Sequence, residues 1–262
     1  MRRHTTTVLT GAACALIVSF GAVPALAQAD DQSRLDAAID AFEQRLTDAG
    51  WVGEPAEEGD DDQVEDEGDL TTGGDDFDAC FGELAAIFEN VDAEEFPGQT
   101  AIRESLEFTF SPDGVPATTE EFSFDLGNEE TAAAVAVSVD DSGLELLDSF
   151  VEQMGDKATG ECIRQAMEAE MTTDSASPDE VAMDFEYQVE NEADLGIGDR
   201  SARLTYGFGG SVMGMSMVID VDMYLARVDH DLVMLIHGTF GSTEVASTFD
   251  PLAELQTLVD SL

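Results

Sequence analysis

Apolar residues recur along this chain at two spacings, and the spacings separate its helices from its strands. A period near 3.6 residues, which gives a helix one apolar face, predicts helices marked by residues 35–46, 77–88, 144–154, 162–167 and 252–259. Alternation of apolar and other residues, typical of strands with one buried face, predicts strands at residues 106–110, 122–126, 135–139, 181–189, 202–208, 213–225 and 232–240. Because strands follow one another without intervening helices, we expect an α+β fold: a largely antiparallel sheet of about seven strands with helices packed on one face.

The order of the predicted elements after the first helix indicates an internal duplication. Each half begins with a cysteine-bearing helix, at Cys80 and at Cys162, and continues into alternating strands. The two segments share this pattern but little sequence identity.

Residues 1–27 have the features of a secretory signal peptide. Arg2 and Arg3 give a positively charged start, an apolar run follows, and Ala25-Leu26-Ala27 supplies a cleavage site of small residues. A membrane anchor is the alternative, but the apolar run is interrupted and falls short of the ~20 residues that a spanning helix needs. We expect a secreted protein with no membrane span once the signal is removed.

Cleavage before Gln28 would leave three parts: an N-terminal amphipathic helix at residues 28–52, an acidic disordered linker at 53–76 and an α+β domain at 77–262. Of the 25 residues from 54 to 78, 13 are acidic and none is basic. Repulsion between like charges and a shortage of apolar groups predict disorder there. We expect the linker to tether the first helix, which would pack loosely or not at all.

Cys80 and Cys162 are the two cysteines that remain after signal removal. An even number of cysteines in an exported protein favours a disulfide. We therefore predict a Cys80–Cys162 disulfide, with two buried free thiols as the alternative.

The charge of the chain excludes one class of partner. There are 58 acidic and 10 basic residues, for a formal charge of −48, whereas nucleic-acid binding needs clustered Lys and Arg to contact phosphates. Carboxylates lie on the polar side of nearly every predicted strand rather than in one patch. This distribution favours a protein adapted to high salt, in which salt screens the repulsion; recruitment of a basic partner or of cations is the alternative.

Few residues offer nucleophilic chemistry. His230 falls in a predicted turn, and His237 falls opposite Asp222 if the last hairpin turns near residues 229–230; such a cross-strand pair is usually a surface contact. Gly209-Gly210-Ser211 lacks the second glycine of a nucleophile elbow, and Gly207-Phe208-Gly209 lacks the third glycine of a dinucleotide fingerprint. We expect these glycines to form a turn or bulge between two strands.

Two segments contain metal-ligand types without metal-site spacing. Methionines 213, 215 and 217 could bind Cu(I) through thioethers, but they continue into Ile219 and Val221, as in a core strand. The acidic residues of 60–67 offer oxygens to Ca²⁺ without the spacing of an EF-hand. We assign no catalytic, cofactor-binding or metal-binding residue and expect no cofactor.

The segment Leu195-Gly196-Ile197-Gly198-Asp199-Arg200-Ser201-Ala202-Arg203-Leu204 resembles one common in secreted actinobacterial envelope proteins, including LpqN-type lipoproteins and the extracellular sensor domains of kinases. The late hairpin and the last helix also look similar, so the likeness covers residues 77–262 by pattern and about ten residues by motif. The lipobox of many such lipoproteins is absent. The resemblance implies an envelope binding or sensing module without catalysis.

These observations favour a secreted, non-catalytic envelope domain that binds or senses an unidentified small molecule or protein, over an enzyme. A secreted hydrolase that uses a carboxylate pair and a purely structural envelope protein are the alternatives. A working pair needs one desolvated carboxyl and one ionised carboxylate, and the abundance of acidic residues singles out no pair.

Overall fold

The computed structural model of the chain describes residues 28–54, 80, 98–111, 129–174, 184–212, 215–241, 247 and 249–262. The helices in these ranges are α1 (Gln28–Asp48), α2 (Leu144–Met154), α3 (Lys157–Asp174) and α4 (Pro251–Ser261). The strands are β1 (Val52–Glu54), β2 (Gln99–Glu104), β3 (Glu107–Phe110), β4 (Glu129–Val139), β5 (Asp184–Ala193), β6 (Arg200–Val212), β7 (Met215–Val228) and β8 (Asp231–Gly241).

The eight strands form one antiparallel sheet that does not close on itself. Their order is β1-β3-β4-β8-β7-β6-β5. Strand β2 pairs with residues 135–139 of β4, and β3 pairs with residues 130–132 along the same edge of that strand. Strands β2 and β3 run along the same partner and are separated at Ser105, whose hydroxyl accepts a hydrogen bond from the N–H of Ala134 at 2.9 Å. The predicted α+β class with an antiparallel sheet is confirmed.

Helices cover both faces of the sheet, which corrects the expectation that they pack on one face. Helices α2 and α3 pack on the face that carries Val135 and Val137, and α1 and α4 pack on the face that carries Ala134 and Ala136. In the sequence, the alternating alanines of β4 suggest the solvent-facing side of a strand with one buried face. In the structure they belong to a second core. Their small side chains leave room for the large apolar residues of α1.

Helix α1 is an integral part of this second core, so the expectation of a loosely tethered helix is wrong. Leu35, Ile39 and Phe42 are 0 % exposed, and the chain passes directly from α1 into β1, whose residues pair with β3. Residues 53 and 54 of the predicted linker therefore lie in a strand. The rest of that linker, the signal peptide and the boundary at residue 77 lie outside the described residues.

Most of the other predicted elements are present at nearly the expected positions. The exceptions are the helix at 77–88 and the strand at 122–126, which lie outside the described residues apart from Cys80, so the internal duplication stays a prediction. Strand β2 was not predicted, because its sequence QTAIRE has no sustained alternation. Within the described part of the chain, no helix has the length and apolar character required to cross a membrane.

The predicted Cys80–Cys162 disulfide is confirmed. It joins residue 80 to α3 with a Cα–Cα distance of 5.4 Å across a sequence separation of 82. The amide of Gln153 in α2 donates a hydrogen bond to the carbonyl of Cys80 at 3.2 Å. A loop of this length gives the cross-link roughly 4–5 kcal/mol in the chain-entropy model.

Candidate functional site

A row of polar side chains crosses the sheet on the face that carries α1 and α4. We call it the polar row: it consists of Glu192 of β5, Arg203 and Thr205 of β6, Asp222 and Tyr224 of β7, His237 of β8 and Glu130 of β4. Strand register brings these residues together, because Glu192, Arg203 and Tyr224 are successive cross-strand partners, as are Thr205, Asp222 and His237. His237 pairs in turn with Ala132, two residues from Glu130.

The row is buried at the end formed by β8 and β4. Glu130 is 1 % exposed and His237 is 5 % exposed. Nε2 of His237 lies 3.4 Å from Oε2 of Glu130, and the hydroxyl of Ser247 donates a hydrogen bond to the same oxygen. The Ser247 oxygen also accepts a bond from the N–H of Phe249 at 3.0 Å. These bonds tie the segment before α4 to strand β4.

Four rings contact one another in a continuous series beside this pair, which we call the ring stack, although the Trp51–Phe249 contact in it is tilted at 58°. The ring of Phe249 lies 5.0 Å from that of His237 at an interplanar angle of 30°. Trp51, which follows α1, lies 5.4 Å from Phe249 and 5.4 Å from Phe110 of β3. The stack covers the imidazole and links the end of α1, the start of α4 and the sheet through aromatic contacts.

Burial sets the protonation of His237. Loss of hydration lowers the pKa of the imidazole below its ordinary value of 6.5, and the bond to Glu130 and the charges of Glu130 and Asp222 offset this only in part. The imidazole is therefore neutral at pH 7, with its Nε2 3.4 Å from Oε2 of Glu130.

The other end of the row opens toward solvent. Asp222 accepts a hydrogen bond from the hydroxyl of Thr205. Burial, assisted by the neighbouring Asp222 charge, raises the pKa of Tyr224 to about 12. Nε of Arg203 lies 3.9 Å from Oε2 of Glu192, whose side chain is exposed. The row thus changes from a buried cluster at β4 and β8 to an exposed acidic surface at β5.

The buried end does not have the geometry of a catalytic triad. In a triad the histidine contacts both the nucleophile and an orienting carboxylate. Here Glu130 occupies the centre and receives both Ser247 and His237. The arrangement therefore suits a proton-dependent link between the sheet and α4 better than it suits activation of the serine.

The two histidines highlighted by the sequence lie in different settings. The predicted pairing of His237 with Asp222 across β7 and β8 is confirmed, but the interpretation of this pair as a surface contact is wrong, because His237 is buried and bonds to Glu130. His230 lies in the exposed turn between β7 and β8, with Nε2 3.0 Å from Oδ1 of Asp141.

The glycine-rich segment does not form the predicted turn. Gly207, Gly209 and Gly210 lie inside β6 and pair with residues of β5 and β7. A Cβ at Gly207 would lie 2.3 Å from Oδ1 of Asp220, so the glycine permits a close approach between neighbouring strands.

Sequence reasoning missed Glu130 and Ser247. Glu130 follows Gly127-Asn128, a pair typical of turns, and an acidic residue near a turn normally indicates solvent. The sequence offers one indication of its burial. Glu130 lies two residues before Ala132 in the alternating pattern, so it shares a face of β4 with Ala132, Ala134 and Ala136. No periodic pattern marks Ser247.

The Cu(I) and Ca²⁺ sites considered from the sequence involve side chains outside the described part of the chain. Among the described residues, no group of three or more His, Cys, Asp or Glu side chains could hold a metal ion. The acidic residues of 60–67 and the side chains of Met213, Met215 and Met217 lie outside the described part.

Comparison with known proteins gives one distant likeness. No family model matches the chain, and no curated protein matches it. Among solved structures, the chain is similar to LpqN, a protein involved in cell envelope biogenesis of Mycobacterium tuberculosis. The identity is 11 %, the match covers 68 % of this chain and 90 % of LpqN, and the TM-score is 0.26. This is a distant relation at the level of the fold, and it carries no argument about function.

Proposed function

We propose that the protein is a secreted, non-catalytic binding or sensing domain of the cell envelope, whose highly acidic surface is adapted to high salt. We place its binding surface on the open sheet face, which consists of Gln188, Glu190 and Glu192 of β5 with Arg203, Thr205 and Gly207 of β6. The observation that carries this proposal is the exposure of the three β5 side chains on the face where α1 packs on β2 and β4 and α4 packs on β7 and β8.

Two features support secretion. The first is the signal-peptide pattern of residues 1–27. The second is the Cys80–Cys162 disulfide, because disulfides persist in oxidising compartments outside the cytosol.

The chemistry of the open sheet face supports a cationic ligand, such as a Lys- or Arg-rich segment of another protein. Glu192 already neutralises Arg203, since their charged groups lie 3.9 Å apart, and Glu190 then leaves an excess of negative charge. Charge complementarity steers such a ligand to this face and fixes its orientation.

A binding experiment with a lysine-rich decapeptide tests this function. The variant Glu190→Gln/Glu192→Gln removes both charges from the open sheet face and should weaken binding at least about fivefold, which corresponds to about 1 kcal/mol. The matched control is Glu145→Gln/Glu152→Gln on α2, on the opposite face. Like Glu192, Glu152 pairs with an arginine, since its Oε2 lies 3.3 Å from Nη1 of Arg200. Equal losses in the two variants, or no binding by the unmodified protein, would contradict the proposed surface.

One observation favours the hydrolase alternative: Glu130 is a buried carboxylate beside a neutral histidine. Assays with chromogenic esters and glycosides separate the two functions. Our proposal predicts no turnover by the unmodified protein. Turnover that disappears in Glu130→Gln, with the folded structure retained, would favour the hydrolase.

A further inference from the structure

His237 is a buried titratable side chain, 5 % exposed, that the proposed binding surface does not use. Within the described part of the chain, Glu130 is the hydrogen-bond partner of the imidazole, and it is bonded at Nε2. A second proton would place a positive charge on a ring that is 5 % exposed, and the loss of hydration opposes that charge.

We propose that His237 is a pH-sensitive switch that keeps Ser247 and Phe249 against the sheet when neutral and releases Phe249, and with it the start of α4, when protonated. This inference goes beyond the proposed binding function, because it concerns the response of the fold to pH and requires no ligand.

Among the residues that the structure describes, the groups that face His237 come from three elements. Strand β4 contributes the carboxylate of Glu130, and β7 contributes the carboxylate of Asp222. The segment before α4 contributes Ser247 and Phe249, which do not titrate in this range. The next residue, Asp250, uses its carboxylate to cap α4 by accepting a bond from the N–H of Ala253 at 3.1 Å.

Two effects oppose each other when the ring gains a proton. The two carboxylates and the face of Phe249 attract an imidazolium, the last through a cation–π contact. Burial opposes it, because the charged ring loses its hydration. Burial dominates this balance for His237. Movement of Phe249 resolves the conflict, because it exposes the ring to water while the bond to Glu130 persists.

The ring stack transmits this movement to a natural reporter. Phe249 contacts both His237 and Trp51, and Trp51 is the single tryptophan of the chain. Departure of Phe249 therefore exposes the indole, which shifts its fluorescence emission to the red.

The test follows Trp51 emission of the untagged protein between about pH 7.5 and pH 5 in 1 M NaCl, where salt screens the titration of distant carboxylates. We expect a reversible red shift with a midpoint below 6.5, the ordinary value for histidine. His237→Gln, whose amide can still donate to Glu130, should abolish the shift. His230→Gln is the matched control and should retain it, because His230 is exposed in a turn.

An identical red shift in His237→Gln and in the unmodified protein would overturn the proposal. If His237→Gln does not fold, NMR decides the question without it. In His230→Gln lacking the signal peptide, one histidine remains, so its Cε1–H resonance belongs to His237. Titration of that resonance in step with the Trp51 shift supports the switch. A resonance that titrates at or above 6.5, or without any change at Trp51, refutes it.

Discussion

Arg34 of α1 binds the carboxylate of Asp231, the first residue of β8, through both of its terminal nitrogens; the Nη2–Oδ1 distance is 3.1 Å. Asp231 is 3 % exposed, so the arginine supplies the charge that a buried carboxylate requires. The contact joins residues 197 positions apart in the chain. It fixes the first helix on the sheet by an electrostatic contact as well as by apolar packing.

The first prediction concerns this ion pair. Arg34→Gln should destabilise the protein by about 2–3 kcal/mol, below the 3–5 kcal/mol typical of a broken buried pair, because the Arg34 side chain is 32 % exposed. Urea unfolding at pH 7 measures the loss. Arg164→Gln is the control: its partner Glu161 is exposed on the same helix, and such pairs contribute about 0–1 kcal/mol. Equal effects of the two substitutions would contradict a structural role for Arg34.

The second prediction tests whether α1 belongs to the core. Leu35→Ala should cost about 2–5 kcal/mol, the range for a buried leucine whose removal leaves a cavity. Leu252→Ala in α4 provides the control, because this leucine is 41 % exposed and its truncation should cost well under 1 kcal/mol. A loss below about 1 kcal/mol for Leu35→Ala would restore the loosely tethered helix that the sequence suggested.

The third prediction concerns the two glycines of the Leu195–Leu204 motif that lie in the turn between β5 and β6. Gly196 and Gly198 both have positive φ, at 75° and 64°, but a Cβ at Gly198 would lie 2.4 Å from the carbonyl oxygen of Arg227, whereas a Cβ at Gly196 meets nothing within 4 Å. Gly196→Ala should cost about 1–2 kcal/mol, the strain of a left-handed backbone. Gly198→Ala should cost clearly more, because the turn must also separate from β7. Equal melting temperatures for the two variants would show that the contact with Arg227 is not required.

The contacts of this motif give it a structural role in this chain. The carboxylate of Asp199 accepts bonds from the N–H of Asp229 at 2.8 Å and from Arg227 at 3.2 Å. The hydroxyl of Ser201 accepts a bond from the N–H of Leu195 at 2.9 Å. The segment therefore joins the β5–β6 turn to the β7–β8 turn, which is a structural role rather than evidence for a ligand site.

The sequence predicted elements well where one periodicity dominated, and failed where two environments overlapped. The long alternation of β7 and the stripe of α4 were predictable, because each carries one continuous row of large apolar residues. In β4, Ala134 and Ala136 face a second core, but their side chains are too small to form a recognisable apolar pattern in the sequence. Strand β1 has three residues and depends on its pairing with β3, so no local pattern reveals it.

The site was less predictable than the fold for a related reason. The pairing of Asp222 with His237 follows from the position of the short turn between β7 and β8, which the sequence indicates. The bond of His237 to Glu130 joins residues 107 positions apart. Burial of both groups depends on Phe249 and Trp51, which are brought together only when α1 and α4 pack on the same face. A local sequence pattern contains none of this information.

The fourth prediction is the pH dependence of stability caused by His237. Its pKa is lowered in the folded state, so the unfolded chain binds the proton more readily. This contribution is complete above the unfolded value of about 6.5 and is lost as the pH falls toward the folded pKa, with a slope of at most about 1.4 kcal/mol per pH unit. Urea unfolding at about pH 7.5 and 5.5 should show a smaller loss in His237→Gln than in the unmodified protein. The same loss in both would assign the pH dependence to carboxylates alone.

The last prediction is that salt stabilises the protein. A formal charge of −48 on 262 residues makes the compact state repel itself, and unfolding relieves this repulsion by expansion. The arginines lie among several carboxylates, as Arg103 does near Asp36, Asp40 and Glu43, so attraction is local and repulsion extends over the surface. The screening length falls from about 30 Å at 0.01 M to about 3 Å at 1 M ionic strength, so salt removes the long-range repulsion and leaves the close pairs. The melting temperature should therefore rise substantially between these conditions, and equally in NaCl and KCl. A rise that saturates at low CaCl₂ under constant ionic strength would instead indicate a specific calcium site. A melting temperature that does not change with salt would contradict salt adaptation. Binding of a basic partner would then have to explain the acidic surface.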